Sequence, residues 1–483
     1  MLYQPTLVSK DFYEVAGKTI PEALSEPRFA RFLDHLLFSE FLDEDTGYKV
    51  SPERLLADME GLSHKLDNNS RNYNRATVFP REFEEATGLR LHRLPYRFKD
   101  GRASAYVLES MPKALKEAVE AERVTLLTDK YQGIYLESGK SPSKQERLEG
   151  RRRFITLKEQ YMARDVPRPD VQYLNRSSRS STFLERETDR RHEAALIAIA
   201  KIPDLQKRGF ALRNLNKIPT FEPFYEAKDN TQRIYTAGVS LQNFSASVRA
   251  AILHPSKNYD LTAAQLAIMG THWEVNEIQS LLHSGEVWAR ICRSLAIPIG
   301  LKGDVKRLVY STAFGMTETN LAIQYGQILR QLPPKATGIN TPLETIEYYV
   351  QRLWGNKYLG ALLRGRKRAM KRIQDSKTAT DAHGEVFRSY DFSTSWEGGR
   401  KLRTMLAFEM QSREKWLMEP VIEMAQENEG KMLITLWLHD GVYVHYYKAD
   451  RSQKLEREMM RRVNERAKDA GYPTTLELVT KAA

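Results

Sequence analysis

Cysteine is almost absent from this chain, since Cys292 is the only one among 483 residues. One thiol excludes an intramolecular disulfide framework and any zinc site that needs several cysteines. Chains without disulfides are typical of reducing compartments, so we expect an intracellular protein.

Long apolar runs are absent as well. No run approaches the roughly 20 apolar residues of a membrane span, and the N-terminus has no apolar stretch of a secretory signal. The sequence therefore predicts no membrane partner. Hydrophobic residues still make up 41% of the chain, and its length suffices for two or three subdomains with cores of their own.

Negative charge is in short supply. Lysine and arginine number 74 against 62 acidic residues, which gives a net charge of +12. This excess favours an anionic polymer as partner, with nucleic acid first and a membrane surface second. A merely basic soluble protein is the plainer alternative. Arginine-rich runs at 151–153, 187–191 and 364–372 fit a surface that follows phosphates when they are taken together.

Helical apolar spacing is common in the first half of the chain, and strand and helix patterns alternate after about residue 233. The stretch 111–136 predicts one long helix that starts at Pro112. The stretch 137–154 is rich in glycine, serine and arginine and predicts an exposed basic loop. Pattern alone therefore predicts a mixed α and β fold in which helix dominates.

Asp440 lies between two apolar, β-rich runs, 431–438 and 442–447. The pair Asp440-Gly441 is typical of a tight hairpin turn, so the sequence predicts two antiparallel strands joined at this aspartate. The alternative is a purely structural turn residue, because Asp-Gly turns are common without any chemistry.

Asp260 follows another strand-like run and precedes a helix pattern in which Thr262 and Gln265 fit a capping box. This predicts a carboxylate at a strand end, where the Leu261 carbonyl could add an oxygen to a magnesium site. Two carboxylates from two strand ends, Asp260 and Asp440, are what a two-metal phosphoryl-transfer site needs. The alternative for Asp260 is a simple role beside the helix cap.

The segment 301–316 predicts a basic helix. Lys302, Lys306 and Tyr310 are spaced four residues apart and share one face, which Phe314 extends. Two lysines beside an aromatic ring suit a triphosphate and a base, because lysine brings charge to phosphate oxygens and tyrosine can stack on a base. A solvated basic face on an amphipathic helix is the alternative.

Arg233 and the pair Gln242-Asn243 precede the first aspartate. Side chains of these types can hold a nucleic-acid backbone and contact its minor groove. Alone, they are a weak signal.

Five fragments resemble family-A DNA polymerases of the bacterial polymerase I type, and they stand in that family's order at compatible spacing. They are RIYTAG…LQN (233–243), YDLTAAQLA (259–267), which is similar to motif A, KGDVKRLVYSTAFGM (302–316), which is similar to motif B, AFEMQS (407–412), which is similar to a glutamine-bearing helix, and LHDG (438–441), which is similar to motif C. The resemblance covers about residues 100–483.

The resemblance implies that Asp260 and Asp440 are catalytic aspartates that bind two Mg²⁺ ions, with Leu261 beside them. Lys306 is then the catalytic lysine at the triphosphate. The other nucleotide-binding residues implied are Lys302, Tyr310, Gln265, Leu261 and Phe314, and the DNA-binding residues implied are Arg233, Gln242, Asn243, Gln411 and His439.

Four positions depart from the family pattern. Gln265 replaces the motif A glutamate that excludes a ribose 2′-hydroxyl, which puts sugar discrimination in doubt. Phe314 replaces a tyrosine and cannot donate its hydrogen bond, and Lys302 replaces an arginine and loses a two-pronged phosphate contact. Gly441 replaces the motif C glutamate, which leaves fewer acidic groups at the centre.

The resemblance also implies a right-hand architecture, with an antiparallel-sheet palm and helical fingers and thumb, and with the loop at 137–154 as the thumb tip. A proofreading exonuclease needs its own domain of roughly 100–150 residues, so none is predicted before the thumb. The divisions implied are an N-terminal region of unknown role at 1–100, the thumb and start of the palm at 101–230, palm with motif A at 231–270, fingers with motif B at 271–400, and palm with motif C at 401–483.

The implied activity is template-directed DNA synthesis from a primer 3′ end, with primer–template DNA and nucleoside triphosphates as partners and two Mg²⁺ ions as cofactors. A replication partner could dock on residues 1–100. The expected location is cytoplasmic, at the nucleoid or in a phage or plasmid replication complex. Gln265 and Phe314 keep open a primase-like or RNA-synthesising enzyme on the same fold, and a non-catalytic nucleic-acid-binding relative is the third alternative.

Overall fold

The structure of the protein is a computed structural model. It describes residues 7–38, 42–43, 47–48, 80–94, 105–125, 133–136, 139–140, 144–163, 168–179, 188–202, 205–218, 220–330, 332, 345–394, 399–447 and 449–480. This part of the chain is rich in helix and contains small antiparallel sheets, which confirms the expected helix-rich α+β class. None of the helices in these ranges has the length and apolar character needed to cross a bilayer.

The chain divides into two compact units, each built from segments that are distant in sequence. The first unit contains Met1–Val166, Arg179–Phe224 and Thr236–His254, and the second contains Pro167–Ser178, Tyr225–Tyr235 and Pro255–Ala483.

The first unit consists of helices and short strand pairs, with a core of aromatic and aliphatic side chains. Phe32 and Phe83 are buried in this core, and their rings meet edge to face with centroids 4.7 Å apart. Ser9 begins the first helix, because its hydroxyl accepts the backbone hydrogen bond of Phe12. The helices span Lys10–Thr19, Pro21–Ser25, Pro27–Phe38, 80–87, Lys113–Val124, Lys144–Ala163, Thr188–Ala200, Leu205–Lys217 and Ala246–Leu253, with a 3-10 turn at Leu241–Asn243, and the strands span Leu7–Val8, Leu42–Asp43, Gly47–Tyr48, Leu91–Leu94, Ala105–Leu108 and Ile134–Tyr135.

The long helix expected over 111–136 is shorter than predicted. The helix spans Lys113–Val124, while Ile134–Tyr135 forms a strand that pairs with Leu7–Val8. Residues 126–132 lie outside the described ranges. The prediction was wrong at its C-terminal end because a distant strand partner decides the conformation of Ile134 and Tyr135, which local spacing cannot register.

The prediction of a loop over 137–154 is wrong from Lys144 onward, because the helix Lys144–Ala163 begins there. Strong helix formers such as lysine, glutamate, glutamine and arginine outweigh Gly150, the single glycine of this helix. Lys158 of the same helix is buried and pairs with Glu222 at 2.5 Å, which anchors the helix within the first unit. Most of residues 137–143 lie outside the described ranges.

The second unit contains a four-stranded antiparallel sheet, which we call the central sheet. Its strands are β1 (Lys257–Leu261), β2 (Met432–Trp437), β3 (Gly441–Tyr446) and β4 (Leu476–Leu478), in the order β2-β3-β1-β4. β2 is buried along its whole length, as its apolar and β-branched residues favour. Because β3 lies between β2 and β1, the turn between β2 and β3 comes next to the end of β1.

Two helices of the second unit matter for the site: the basic helix (Lys302–Ala313) and the long helix (Arg400–Glu427). The long helix packs against β2 and against the helices Ala264–His272 and Ala449–Asp469. The other helices span Pro169–Arg179, Asn276–His283, Val287–Ser294, Glu318–Arg330, Ile346–Gly355 and Lys357–Ser376, the 3-10 turns span Ile299–Leu301 and Ser389–Asp391, and the remaining strands pair as Tyr225–Ala227 with Ile234–Thr236 and Thr378–Thr380 with Val386–Arg388.

Glu409 of the long helix is a buried structural carboxylate. Its side chain has no exposed surface, and its Oε1 accepts a hydrogen bond from the Thr380 backbone N–H at 2.9 Å. Its Oε2 lies 3.3 Å from His272 Nε2 and pairs with Arg372. Glu409 therefore joins the long helix to three neighbouring elements of the second unit.

Candidate active site

The two predicted aspartates are neighbours at one end of the central sheet. Asp260 lies near the C-terminal end of β1, directly opposite Gly441 of β3. The Leu261 backbone N–H donates to the Asp440 carbonyl oxygen at 2.8 Å. The Leu438 N–H donates to the Gly441 carbonyl oxygen at 2.9 Å, which closes the turn and confirms the predicted tight hairpin.

Gly441 is required by the close approach of β1 and β3. A Cβ atom at this position would lie 2.7 Å from the Tyr259 carbonyl oxygen and 2.9 Å from Asp260 Oδ1. Glycine inside a strand often marks such an approach of another backbone. The missing side chain at position 441 therefore leaves the space that the Asp260 carboxylate occupies.

The helix after β1 begins without the predicted capping box. Ala263 precedes the helix in the left-handed conformation, and no side chain caps it. Gln265 is only 3% exposed, and its Nε2 donates to Glu414 Oε1 at 2.6 Å. The prediction was wrong because a buried amide needs a polar partner, and Glu414, far away in sequence, provides it.

The basic helix forms where it was predicted, and its helical spacing places the predicted side chains on one face. Gly315, which has a φ of +74°, follows the end of the helix. Lys306 and Tyr310 both contact Trp288. The Lys306 Nζ lies 5.1 Å from the indole ring centre, and the Tyr310 ring meets the indole edge to face at 5.6 Å. Trp288 thus orders the face that carries the predicted triphosphate lysine and stacking tyrosine, while the Lys302 side chain is exposed.

Charge couples the basic helix to the aspartates. Burial lowers the pKa of Lys306, the Lys302 charge lowers it further, and Asp260 and Asp440 act in the opposite direction. Burial raises the pKa of Tyr310, and the charges of both aspartates raise it further. Lys306 and Tyr310 therefore lie in the electrostatic field of the aspartate pair.

Glu414 of the long helix, which the sequence analysis missed, is a second buried carboxylate. Its Oε2 accepts a hydrogen bond from Arg233 Nε at 2.8 Å and lies 2.7 Å from Arg233 Nη2. The Arg233 guanidinium also covers the Phe314 ring, 4.8 Å from its centre. Burial raises the pKa of Glu414, Arg233 opposes this, and the Asp440 charge raises it further. Arg233 is thus held by a protein carboxylate beside the aspartate pair.

Gln411 lies one turn before Glu414 on the long helix, and its Oε1 accepts a hydrogen bond from Thr231 Oγ1 at 2.6 Å. Gln411 and Glu414 are both buried. This spacing was the available signal for Glu414, because a carboxylate three residues after a predicted site glutamine shares its helix face. The contacts of Gln411 and Arg233 with DNA stay predictions.

His439 precedes Asp440, and its ring packs edge to face against Tyr235 with centroids 4.9 Å apart. Burial, followed by the charge of Arg233, lowers the pKa of His439 to about 3. The imidazole is therefore neutral at physiological pH. Its Nδ1 is buried and has no hydrogen-bond partner within the described ranges. Its contact with a primer end stays a prediction.

Gln242 and Asn243 belong to the first unit and stabilise a local turn there. Gln242 Oε1 accepts a hydrogen bond from the Thr236 N–H at 3.0 Å, and Asn243 Oδ1 accepts one from the Ser240 N–H at 2.9 Å. Their side-chain oxygens thus take part in the 3-10 turn, and their contact with DNA stays a prediction.

The donors at the aspartate pair fit Mg²⁺ in kind. Asp260 and Asp440 offer carboxylate oxygens from neighbouring backbones, and the Leu261 carbonyl belongs to the same strand end. Within the described ranges, no group of three or more histidine, cysteine or acidic side chains is placed to hold a metal ion. Waters and substrate phosphates would have to complete the coordination, as is common for Mg²⁺.

No family model and no curated protein matches this chain. Among solved structures, the chain is similar to the POL domain of Pol1 from M. smegmatis in complex with DNA primer-template and dNTP, with 12% sequence identity and a TM-score of 0.42. The match covers 64% of this chain and 65% of that one, so the chain spans just under two thirds of the length of this relative.

Proposed function

We propose that this protein is a template-directed DNA polymerase that adds deoxynucleotides to a primer 3′ end. The observation that carries the proposal is the adjacency of Asp260, near the end of β1, and Asp440, in the turn before β3, whose charges both act on Lys306 of the basic helix. Two carboxylates and a nearby cation suit phosphoryl transfer, because negative charge is spread over the transferred group. The net charge of +12 suits a nucleic-acid partner.

Asp260 and Asp440, with the Leu261 carbonyl, would hold two Mg²⁺ ions. Bound Mg²⁺ supplies positive charge at the attacking and leaving oxygens of an in-line displacement. Lys306 and Lys302 bind the triphosphate and offset the charge that builds on its oxygens as pyrophosphate leaves.

Aromatic and polar side chains orient the bases and the strands. Tyr310 packs on the incoming base and Phe314 lies at the templating position, where stacking is worth about 1–3 kcal/mol per base. Primer–template DNA is held by Arg233, Gln242, Asn243, Gln411 and His439.

In this proposal the palm comprises 231–270 and 401–483, the fingers 271–400, and the thumb together with the start of the palm 101–230. A replication partner would dock on residues 1–100. The protein would act in the cytoplasm. These divisions follow the order of the five motif-like fragments along the chain.

Gln265 favours a second candidate, an enzyme of the same fold that accepts ribonucleotides. Its side chain is buried, its Nε2 is taken by Glu414, and its Oε1 has no hydrogen-bond partner within the described ranges. A buried unpaired acceptor costs about 1–3 kcal/mol, and a ribose hydroxyl is a donor that would remove this cost.

The test is extension of a labelled primer on a DNA template, with Mg²⁺ and either dNTPs or rNTPs. Template-matched growth with dNTPs that EDTA abolishes supports the proposal. Equal growth with rNTPs moves the answer to the second candidate. Duplex binding without growth from either substrate leaves a non-catalytic nucleic-acid-binding protein.

The lowered pKa of Lys306 predicts a pH dependence of nucleotide binding. Lys306 loses its proton at a lower pH than an ordinary lysine, so the KM for dNTP rises as the solution becomes alkaline. Lys302→Met removes one cause of the lowering and moves this rise to higher pH. Lys306→Arg removes the rise, because arginine stays protonated.

The measurement is KM for dNTP against pH in steady-state extension. Arg307→Met on the same helix is the matched control. The Arg307 side chain is exposed, and its ion-pair partner among the described residues is Asp304 of the same helix. Profiles that are identical in all variants would show that Lys306 does not bind the triphosphate.

A further inference from the structure

We infer that Glu414 is a positioning residue for primer extension, which holds Arg233 and Gln265 in fixed orientations beside the aspartate pair. The inference rests on the proposed function. Glu414 is assigned no contact with substrate, because it acts through the two side chains that it binds.

Both oxygens of the Glu414 carboxylate are engaged. Oε2 receives the Nε hydrogen bond of Arg233 at 2.8 Å and lies 2.7 Å from Nη2, which sets the plane of the guanidinium. Oε1 accepts from Gln265 Nε2 at 2.6 Å, which sets the direction of the amide. The hydrogen bond to Glu414 therefore also fixes the orientation of the unpaired Gln265 Oε1.

Three elements of the second unit meet through Glu414. Arg233 lies in the segment before β1, and Gln265 lies in the helix after β1. The Arg233 guanidinium covers Phe314, which directly follows the basic helix. A change at Glu414 thus affects the segments before and after β1, which carries Asp260, and the end of the basic helix.

Stability alone is a poor reason for a carboxylate at this position. The Glu414 side chain is 1% exposed, and replacing a buried ion pair with apolar side chains is often neutral or stabilising. Glu414 also experiences the negative charge of Asp440. Like charges brought together in a buried place are typical of functional sites, where they are retained despite their cost.

The experiment compares Glu414→Gln with Glu409→Gln in the full chain. Glu409 is a matched control, because it is buried on the same helix and its partners Arg372 and His272 are not assigned to the site. We expect Glu414→Gln to lower kcat of primer extension by about 30- to 100-fold, since a small misplacement of site groups can cost about 100-fold. We expect the KM for dNTP and the Kd for duplex DNA to change less than about threefold, because the other proposed binding groups are unchanged.

The double variant Arg233→Met, Glu414→Met keeps the volume, removes both charges and guards against a folding defect of the single change. It should lose at least as much kcat as Arg233→Met alone, since Glu414 acts through Arg233 and also through Gln265. Equal kcat for Glu414→Gln, Glu409→Gln and the unaltered protein would overturn the inference. So would parallel losses of kcat and Tm in both glutamine variants. Failure of the unaltered protein to extend primers would instead overturn the proposed function.

Discussion

Asp440→Asn and Asp260→Asn should each lower kcat of primer extension by about 1,000-fold or more. Metal-assisted charge stabilisation is worth several kcal/mol, and every 1.36 kcal/mol is a factor of about ten in rate. Asparagine keeps the shape of each side chain but removes the charge that would hold Mg²⁺. The hydrogen bond from the Leu261 backbone N–H to the Asp440 carbonyl oxygen does not involve either side chain, so the strands should stay paired.

The measurement is single-turnover extension of a labelled primer, together with the Tm of each variant. Asp304→Asn is the matched control, because Asp304 lies in the first turn of the basic helix and pairs only weakly with Arg307, at 3.6 Å. We expect the control to keep its rate within about twofold. A rate in Asp440→Asn that equals the control rate would exclude Asp440 as a metal ligand.

Gly441→Ala should reduce extension by about 100-fold, through geometry and without any change of charge. The added Cβ would lie 2.9 Å from Asp260 Oδ1 and 2.7 Å from the Tyr259 carbonyl oxygen. The carboxylate or the strand must therefore shift, and a displacement of about 1 Å at a reacting centre can cost about 100-fold. Overpacking of this kind also destabilises a fold by about 1–3 kcal/mol.

Gly355→Ala is the matched control for this substitution. Gly355 ends the helix Ile346–Gly355, and a Cβ there meets nothing within 4 Å. The rate and the free energy of unfolding are measured for both variants. Activity of Gly441→Ala equal to that of Gly355→Ala would show that the carboxylate tolerates the crowding and that Asp260 is not held by the narrow space.

Local chemistry made several parts of the site predictable. The Asp440-Gly441 turn follows from two β-rich runs and a turn dipeptide, and the shared face of Lys306 and Tyr310 follows from helical spacing. These features depend on residues at most a few positions apart. Local pattern misjudged Gln265 for the same reason, because it assigned that side chain to a cap a few residues away.

Neighbouring residues were enough to predict the helix-rich α+β class, the hairpin at Asp440, the strand end at Asp260 and the basic helix. Packing between distant segments places β3 beside β1, makes glycine necessary at position 441, and brings Glu414 to Gln265 from 149 positions away. The physical reason is that secondary structure is encoded by near neighbours, whereas a buried polar group takes whichever partner the packed chain brings to it.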